Sequence, residues 1–271
     1  MSAPRDEARE RRTAGIGLAA VVLGTLALVA VLLALIVARA TTSDPKQAEL
    51  REPAAAPPAA PGGVEPAVLE LVTRPMPVLP PQAVRPQPLS TASAGPPITV
   101  APTHPIGGSW IPGGVPGTTR GALAQLAALD EAALRGADPD LYARGFTELS
   151  EPGAPGATET GLHSLLRSLR MSAGLRPAGP VPGMLADFQP THGQIKGTAE
   201  GGRLVVACVL GQFSVDQRGQ TVTAGIGDCQ AMRWNGHRWR IAATPVAAPA
   251  PSAWPGSADS VSVGYRELRE G

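Results

Sequence analysis

The chain has 271 residues, of which 43% are hydrophobic, 17% charged and 3% aromatic, with a formal net charge of +1. Nucleic-acid binders carry a clustered basic excess; none is visible here, so no nucleic-acid partner is expected. Lysine occurs only at Lys46 and Lys196 against 21 arginines, and with the abundant Ala, Gly and Pro this points to a GC-rich genome.

Residues 1–12 carry Arg5, Arg9, Arg11 and Arg12 against Asp6, Glu7 and Glu10, and the remainder balances at 19 basic and 19 acidic residues. Residues 13–38 then run for 26 positions without a charge. About 20 apolar residues cross a hydrocarbon core of roughly 30 Å, so this segment predicts a transmembrane helix behind a short cytoplasmic stub. A cleavable signal peptide is the rival reading, because Ala38, Arg39 and Ala40 fit a small-x-small cleavage pattern. A signal-peptide apolar region is typically about 7–15 residues, which favours an uncleaved signal anchor. Four arginines precede the helix and Arg39, Lys46 and Arg51 follow it. By positive charge the N-terminus is expected in the cytoplasm and everything beyond the helix outside, in a single-pass topology at the cell membrane. Ala20 and Gly24 form a small-xxx-small pair of the kind that packs helices together.

Residues 39–117 read as a Pro/Ala-rich disordered linker. Eighteen of the 30 prolines fall between positions 42 and 118, and a segment so rich in proline cannot bury a core of its own. Residues 67–72 read as a short extended piece, and 110–114 as a strap laid on the domain that follows.

Residues 118–245 are expected to fold as one extracytoplasmic α+β domain. Thr118 or Thr119 caps a first helix through its hydroxyl, with Leu123, Leu126 and Leu134 in its apolar pattern and Gly136 at its end. Asp138 and Pro139 open a second helix, proline sitting where its missing N–H costs nothing; Leu141, Tyr142 and Phe146 share a face. Thr158 or Thr160 opens a third, with Leu162, Leu165, Leu166 and Leu169 inward and Arg167 and Arg170 outward. The period then changes to that of strands, over 194–199, 203–215 and 221–234. Asn235-Gly236 is a strong hairpin signal and returns the chain through residues 238–241. The result is a three- or four-stranded antiparallel meander preceded by helices. Residues 246–271 read as a Pro-rich tail with a short terminal helix over 257–269.

The cysteines test the register. With 217–220 as the hairpin loop, position 213 faces 224, 210 faces 227, and Cys208 faces Cys229. Opposed residues at a non-hydrogen-bonded pair meet disulfide distances, and two cysteines in an exported domain predict a structural bridge.

Candidate chemistry is sparse. His104, His163, His192 and His237 are scattered without zinc-ligand spacing and read as solvent-exposed. Asp228, between the small Gly225 and Gly227 and Cys229, is a candidate cavity-lining carboxylate. Trp234 and Trp239 are expected to seal the core or its rim. No nucleophile, base and orienting group come together, so the chain is expected to be no enzyme, with no catalytic, metal or cofactor-binding residue and no cofactor.

Helices followed by a curved meander that ends in Trp234-Asn235-Gly236-His237-Arg238-Trp239-Arg240-Ile241 resemble the cystatin-like cone of the nuclear-transport-factor-2 superfamily. With the N-terminal anchor and the composition, the chain resembles actinobacterial single-pass membrane proteins, among them assembly-factor subunits of type IV secretion and conjugation machines. That resemblance implies a non-catalytic scaffold that self-associates and contacts channel components, with membrane and protein partners. A ligand-binding or polyketide-cyclase-like cone, with Asp228 or Tyr142 in its pocket, is the alternative. A wall-associated structural protein is a third.

Overall fold

The computed structural model describes residues 64–271. The expected transmembrane helix at 13–38, the cleavage pattern ending at Ala40, the Ala20 and Gly24 pair and the first part of the linker lie outside the described residues. Among the described residues no helix is long and apolar enough to cross a membrane.

The fold is α+β, with helices against a curled, largely antiparallel half-barrel sheet. In chain order the elements are α1 (Pro66–Thr73), β1 (Ile98–Val100), β2 (His104–Ile106), β3 (Ser109–Gly113), α2 (Thr119–Ala133), α3 (Pro139–Leu149) and α4 (Gly161–Ser172). Then come β4 (Met184–Ala199), β5 (Leu204–Gln217), β6 (Gln220–Trp234), β7 (Trp239–Ile241), α5 (Ala258–Ser262) and β8 (Arg266–Glu270). The main sheet has the order β1-β8-β4-β5-β6-β7, and β2 and β3 form a separate hairpin. The antiparallel meander β4-β5-β6-β7 is its centre, while β1 joins β8 in parallel.

The helix starts follow from capping chemistry. Thr118 accepts a bond from the Gly121 amide at 3.1 Å, Asp138 from that of Asp140 at 3.1 Å, and Thr160 from that of His163 at 3.3 Å. Each satisfies an amide that the first turn leaves without an intrahelical partner.

Three long strands bend because β4 carries two bulges, one between Pro190 and His192 and one between Ile195 and Gly197. Bulges kink a strand and re-aim a side chain. Pro190, with no amide proton to give, pairs with Gly211, where a Cβ would lie 2.3 Å from the Gln189 carbonyl oxygen. At the second bulge the extra residue is Lys196, whose Nζ donates to the carbonyls of Val72, at 3.1 Å, and Arg74. It thereby closes the C-terminal end of α1, where unpaired carbonyls favour a cation.

Alternation puts a core on each side of the sheet. Val205, Ala207 and Val209 of β5 and Ile226 and Met232 of β6 pack under α2, α3 and α4 with Leu123, Leu126, Leu129, Phe146 and Leu166. On the other face Leu204, Val206, Cys208, Leu210, Cys229 and Ala231 lie with Val68 and Val72 of α1 and with Ala247 and Tyr265. Cys208 faces Cys229 in the expected register, as Phe213 faces Ala224 and Leu210 faces Gly227. The two cysteines are bridged across a Cα–Cα separation of 4.1 Å.

Three expectations are corrected. Residues 64–117 are not a featureless linker: they supply α1 and three strands, and Val72 and Ile111 are fully buried. Residues 67–72 are helical, with Pro66 in the first turn. Proline richness prevents a segment from building its own core, but not from lending single apolar residues to one built elsewhere. The strand expected at 194–199 begins ten residues earlier, at Met184, because a proline at a bulge does not end the pairing. The terminal helix is only Ala258–Ser262; Gly264, at φ +95°, breaks it, and the chain continues as β8 inside the sheet. The segment before α5 is seated on Gly225 and Gly227. A Cβ at Gly225 would sit 1.8 Å from the Ala253 carbonyl oxygen, and one at Gly227 2.6 Å from that of Pro251.

The bridge closes a sequence separation of 21 residues, so reducing it is expected to cost about 3 kcal/mol, read as a lower urea midpoint in paired reduced and oxidised unfolding curves. Gly225→Ala collides with backbone that cannot move aside locally. It should release the C-terminal segment, seen as faster amide exchange at 250–256 with the Cys208–Cys229 hairpin still protected.

Candidate functional site

Burial singles out one polar cluster on the helical side of the sheet. The β6 residues that face the helices are Ile226, Asp228, Gln230 and Met232, and across the strand pair Asp228 lies beside Val209 and Gln230 beside Ala207. Opposite them α2 contributes Asp130, with 0% exposure, and α3 contributes Tyr142, also 0%. Asp130 falls on the apolar stripe of α2, four residues after Leu126 and three before Ala133, so the helix that buries those residues buries its carboxyl too.

The cluster is short of hydrogen bonds. Gln230 Nε2 donates to both carboxylate oxygens of Asp228 at 3.0 Å. Both oxygens of Asp130 and the hydroxyl of Tyr142 find no partner among the described residues. Burial pushes the Asp130 carboxyl well above the usual carboxylate range, and the neighbouring charge of Asp228 adds to this. Asp228 is raised to about 6, chiefly by burial, with the Gln230 amide and the Cys229 backbone pulling it back. The Tyr142 phenol is raised by burial and by both carboxylates, against a smaller opposing effect of the Thr160 hydroxyl. Chemically, the arrangement disfavours two simultaneous negative charges.

Asp228 and Tyr142, the two residues singled out in the sequence, lie on the same side of the sheet within electrostatic reach of each other, with Asp130 and Gln230 as companions that sequence reasoning missed. The available signal was a carboxylate on the apolar stripe of α2. Gly225 and Gly227 do not open space beside Asp228; they lie on the other face, under the C-terminal segment. A surface cleft of about 840 Å³ is elsewhere, lined by Thr147, Glu151, Pro155, Asn235 and Arg240 among others.

Other polar residues have structural partners. Arg170, expected to face outward, has 0% exposure. Its guanidinium donates to the carbonyls of Ala137 at 2.6 Å, Gly179 at 2.8 Å, Gly136 at 3.1 Å and Arg176 at 3.2 Å. It fastens α4 to the α2–α3 turn and to the loop after α4, its charge answered by Asp138 at 4.0 Å. Arg233 bridges Glu151 at 2.7 Å and Glu200 at 2.8 Å. Trp239 is buried with its indole N–H on the Pro116 carbonyl at 2.9 Å, and Trp234 packs beside it at 5.5 Å between ring centroids. His163, expected in solvent, is buried, and burial together with Arg167 lowers its pKa. Among the described residues no group of three or more His, Cys, Asp or Glu side chains is placed to hold a metal ion.

The chain matches no protein-family model, no curated protein and no solved structure.

Tyr142→Phe removes a buried hydroxyl that has no partner, so stability is expected to stay level or rise by up to about 1 kcal/mol. Arg170→Met strips one buried and three part-buried carbonyls of their donor and should cost about 3 kcal/mol or more. Urea unfolding of the two variants against the parent checks both, and a destabilised Tyr142→Phe would show that the hydroxyl has a partner.

Proposed function

We propose that the chain is a membrane-anchored, non-enzymatic scaffold subunit of an extracytoplasmic complex of the secretion or conjugation type, with residues 64–271 as its cystatin-like domain. The observation that carries the extracytoplasmic placement is the Cys208–Cys229 bridge. Structural disulfides persist in oxidising compartments and are rare in cytosolic proteins. The uncharged run at 13–38 supplies an anchor of membrane-spanning length on the N-terminal side of that domain.

A scaffold is favoured over an enzyme by the state of the polar cluster. A catalytic group must reach its substrate, whereas Asp130 and Tyr142 are wholly shielded from solvent. The remaining buried charge, Arg170, is spent on backbone carbonyls. Function then rests on the outer surface and on association with other envelope proteins or with further copies of the chain. The second reading, a ligand-binding cone, draws support from the same unpartnered Asp130 and Tyr142 beside Asp228, which a ligand entering between helices and sheet would satisfy.

Topology and association are tested together in cells. Gln220 is exposed at the start of β6, so Gln220→Cys should react with a membrane-impermeant maleimide in intact cells. Reaction only after permeabilisation would overturn the extracytoplasmic placement. Crosslinking in the same cells should give species larger than the monomer; a monomer alone, on crosslinking and on a native gel, would overturn the scaffold.

A further inference from the structure

We propose that the folded domain is a proton-binding module: Asp130 of α2 and Asp228 of β6 hold one proton between them, and this shared proton keeps the helical layer closed on the sheet. The argument begins with what surrounds the two carboxyls. Asp130 has 0% exposure and no hydrogen-bond partner at either oxygen among the described residues. A buried carboxylate without a partner or counter-charge is among the most costly groups a core can hold. A protonated carboxyl beside a second carboxyl removes that cost, because it becomes a donor to an acceptor.

The cations on the elements around the cluster are committed elsewhere. On α4, Arg170 is held by backbone carbonyls and Asp138, and His163 answers to Arg167 and Asp140. On α3, Arg144 lies over the Trp110 ring at 5.7 Å, Asp140 is in the exposed first turn, and Glu148 accepts from Ser109. Glu131 of α2 pairs at the surface with Arg135, just past the end of that helix, and Arg120 is exposed. From β4, Lys196 caps α1, His192 sees Glu267, and Asp187 is exposed. On β5, Asp216 accepts from Thr221. On β6, Arg233 is paired with Glu151 and Glu200. On β7, Arg240 donates to the carbonyls of Glu148 and Ser150. Strands β1 and β3 carry no titratable side chain. What faces the pair is Tyr142, whose neutral phenol can donate, and the Gln230 amide; from the other side of the sheet the Tyr265 phenol feels Asp228 as well, its own proton donated to the Pro251 carbonyl.

Both carboxyls are raised in the fold, Asp228 to about 6 and Asp130 in the same direction, while an unfolded aspartate titrates near about 4. The folded state therefore binds more protons. Its contribution from this site is complete below about pH 4 and is lost as pH rises through the folded values. Alkalinity outside the membrane would loosen the helical layer, and acidity would close it.

The test uses the full-length chain in detergent, with urea midpoints of wild type and Asp130→Asn compared between about pH 4.5 and about pH 8. The variant keeps the shape and removes the like charge. Its midpoint should gain on the wild type as pH rises, by about 1 M in urea over that range. A difference between the two that does not change with pH overturns the proposal. Should Asp130→Asn fail to fold, infrared spectroscopy of the wild type near neutral pH decides. A protonated-carboxyl stretch that disappears on unfolding supports the shared proton, and its absence in the folded protein overturns it.

Discussion

The pairing of β5 with β6 is the constraint on which the rest of the molecule depends. It runs without a shift from Leu204 opposite Arg233 to Gln217 opposite Gln220, and because strand side chains alternate, a slip of one residue would exchange the two faces. One parity sends Val205, Ala207 and Val209 to the helices and brings Asp228 and Gln230 with them. The other sends Cys208, Cys229 and their neighbours to α1 and the C-terminal segment. The disulfide fixes that parity covalently, so the position of the acidic cluster and the docking site of α1 and the C-terminal segment follow from one register.

Two buried polar residues of the helical layer show how differently a core can treat a charge. Arg170 enters with five donors, and the α2–α3 turn and the loop after α4 supply carbonyls to four of them. Charge there is compatible with burial because hydrogen bonds replace water. Asp130 enters the same layer with acceptors only, close enough to Asp228 to feel its charge, so it gains a hydrogen-bond partner there only by taking up a proton. Gly136, at φ +68°, lets the chain turn so that its own carbonyl reaches Arg170.

The helix starts and the β5–β6 hairpin were legible in the sequence because their causes are local. Thr118, Asp138 and Thr160 cap through their own side chains, and the alternation of 204–217 against 220–234 fixes which residues face each other. Asp228 and Tyr142 were singled out, yet Asp130 was not, because the apolar stripe of α2 was followed through its leucines alone. Arg170 was placed outward for a similar reason: nothing near it in sequence reveals four carbonyls, two of which come from more than thirty residues away. The segments before residue 118 and after 245 were misjudged because their order is borrowed. Val68, Val72, Ile98 and Tyr265 are buried by a sheet that lies elsewhere in the chain, and composition within a segment carries no record of such a partner.

Helix α1 has a consequence for how the domain bears load. It is the first described element, it rests by Val68 and Val72 over the bridged cysteines, and its far end is gripped by Lys196 from the bulge of β4. A pull arriving from the N-terminal side would reach this helix and its contact with β4 first. The strands beneath it are welded at Cys208 and Cys229, so traction would shear α1 from its seat before it parted the sheet. The domain thus has a non-covalent joint on its N-terminal side and a covalent crossbar beneath it.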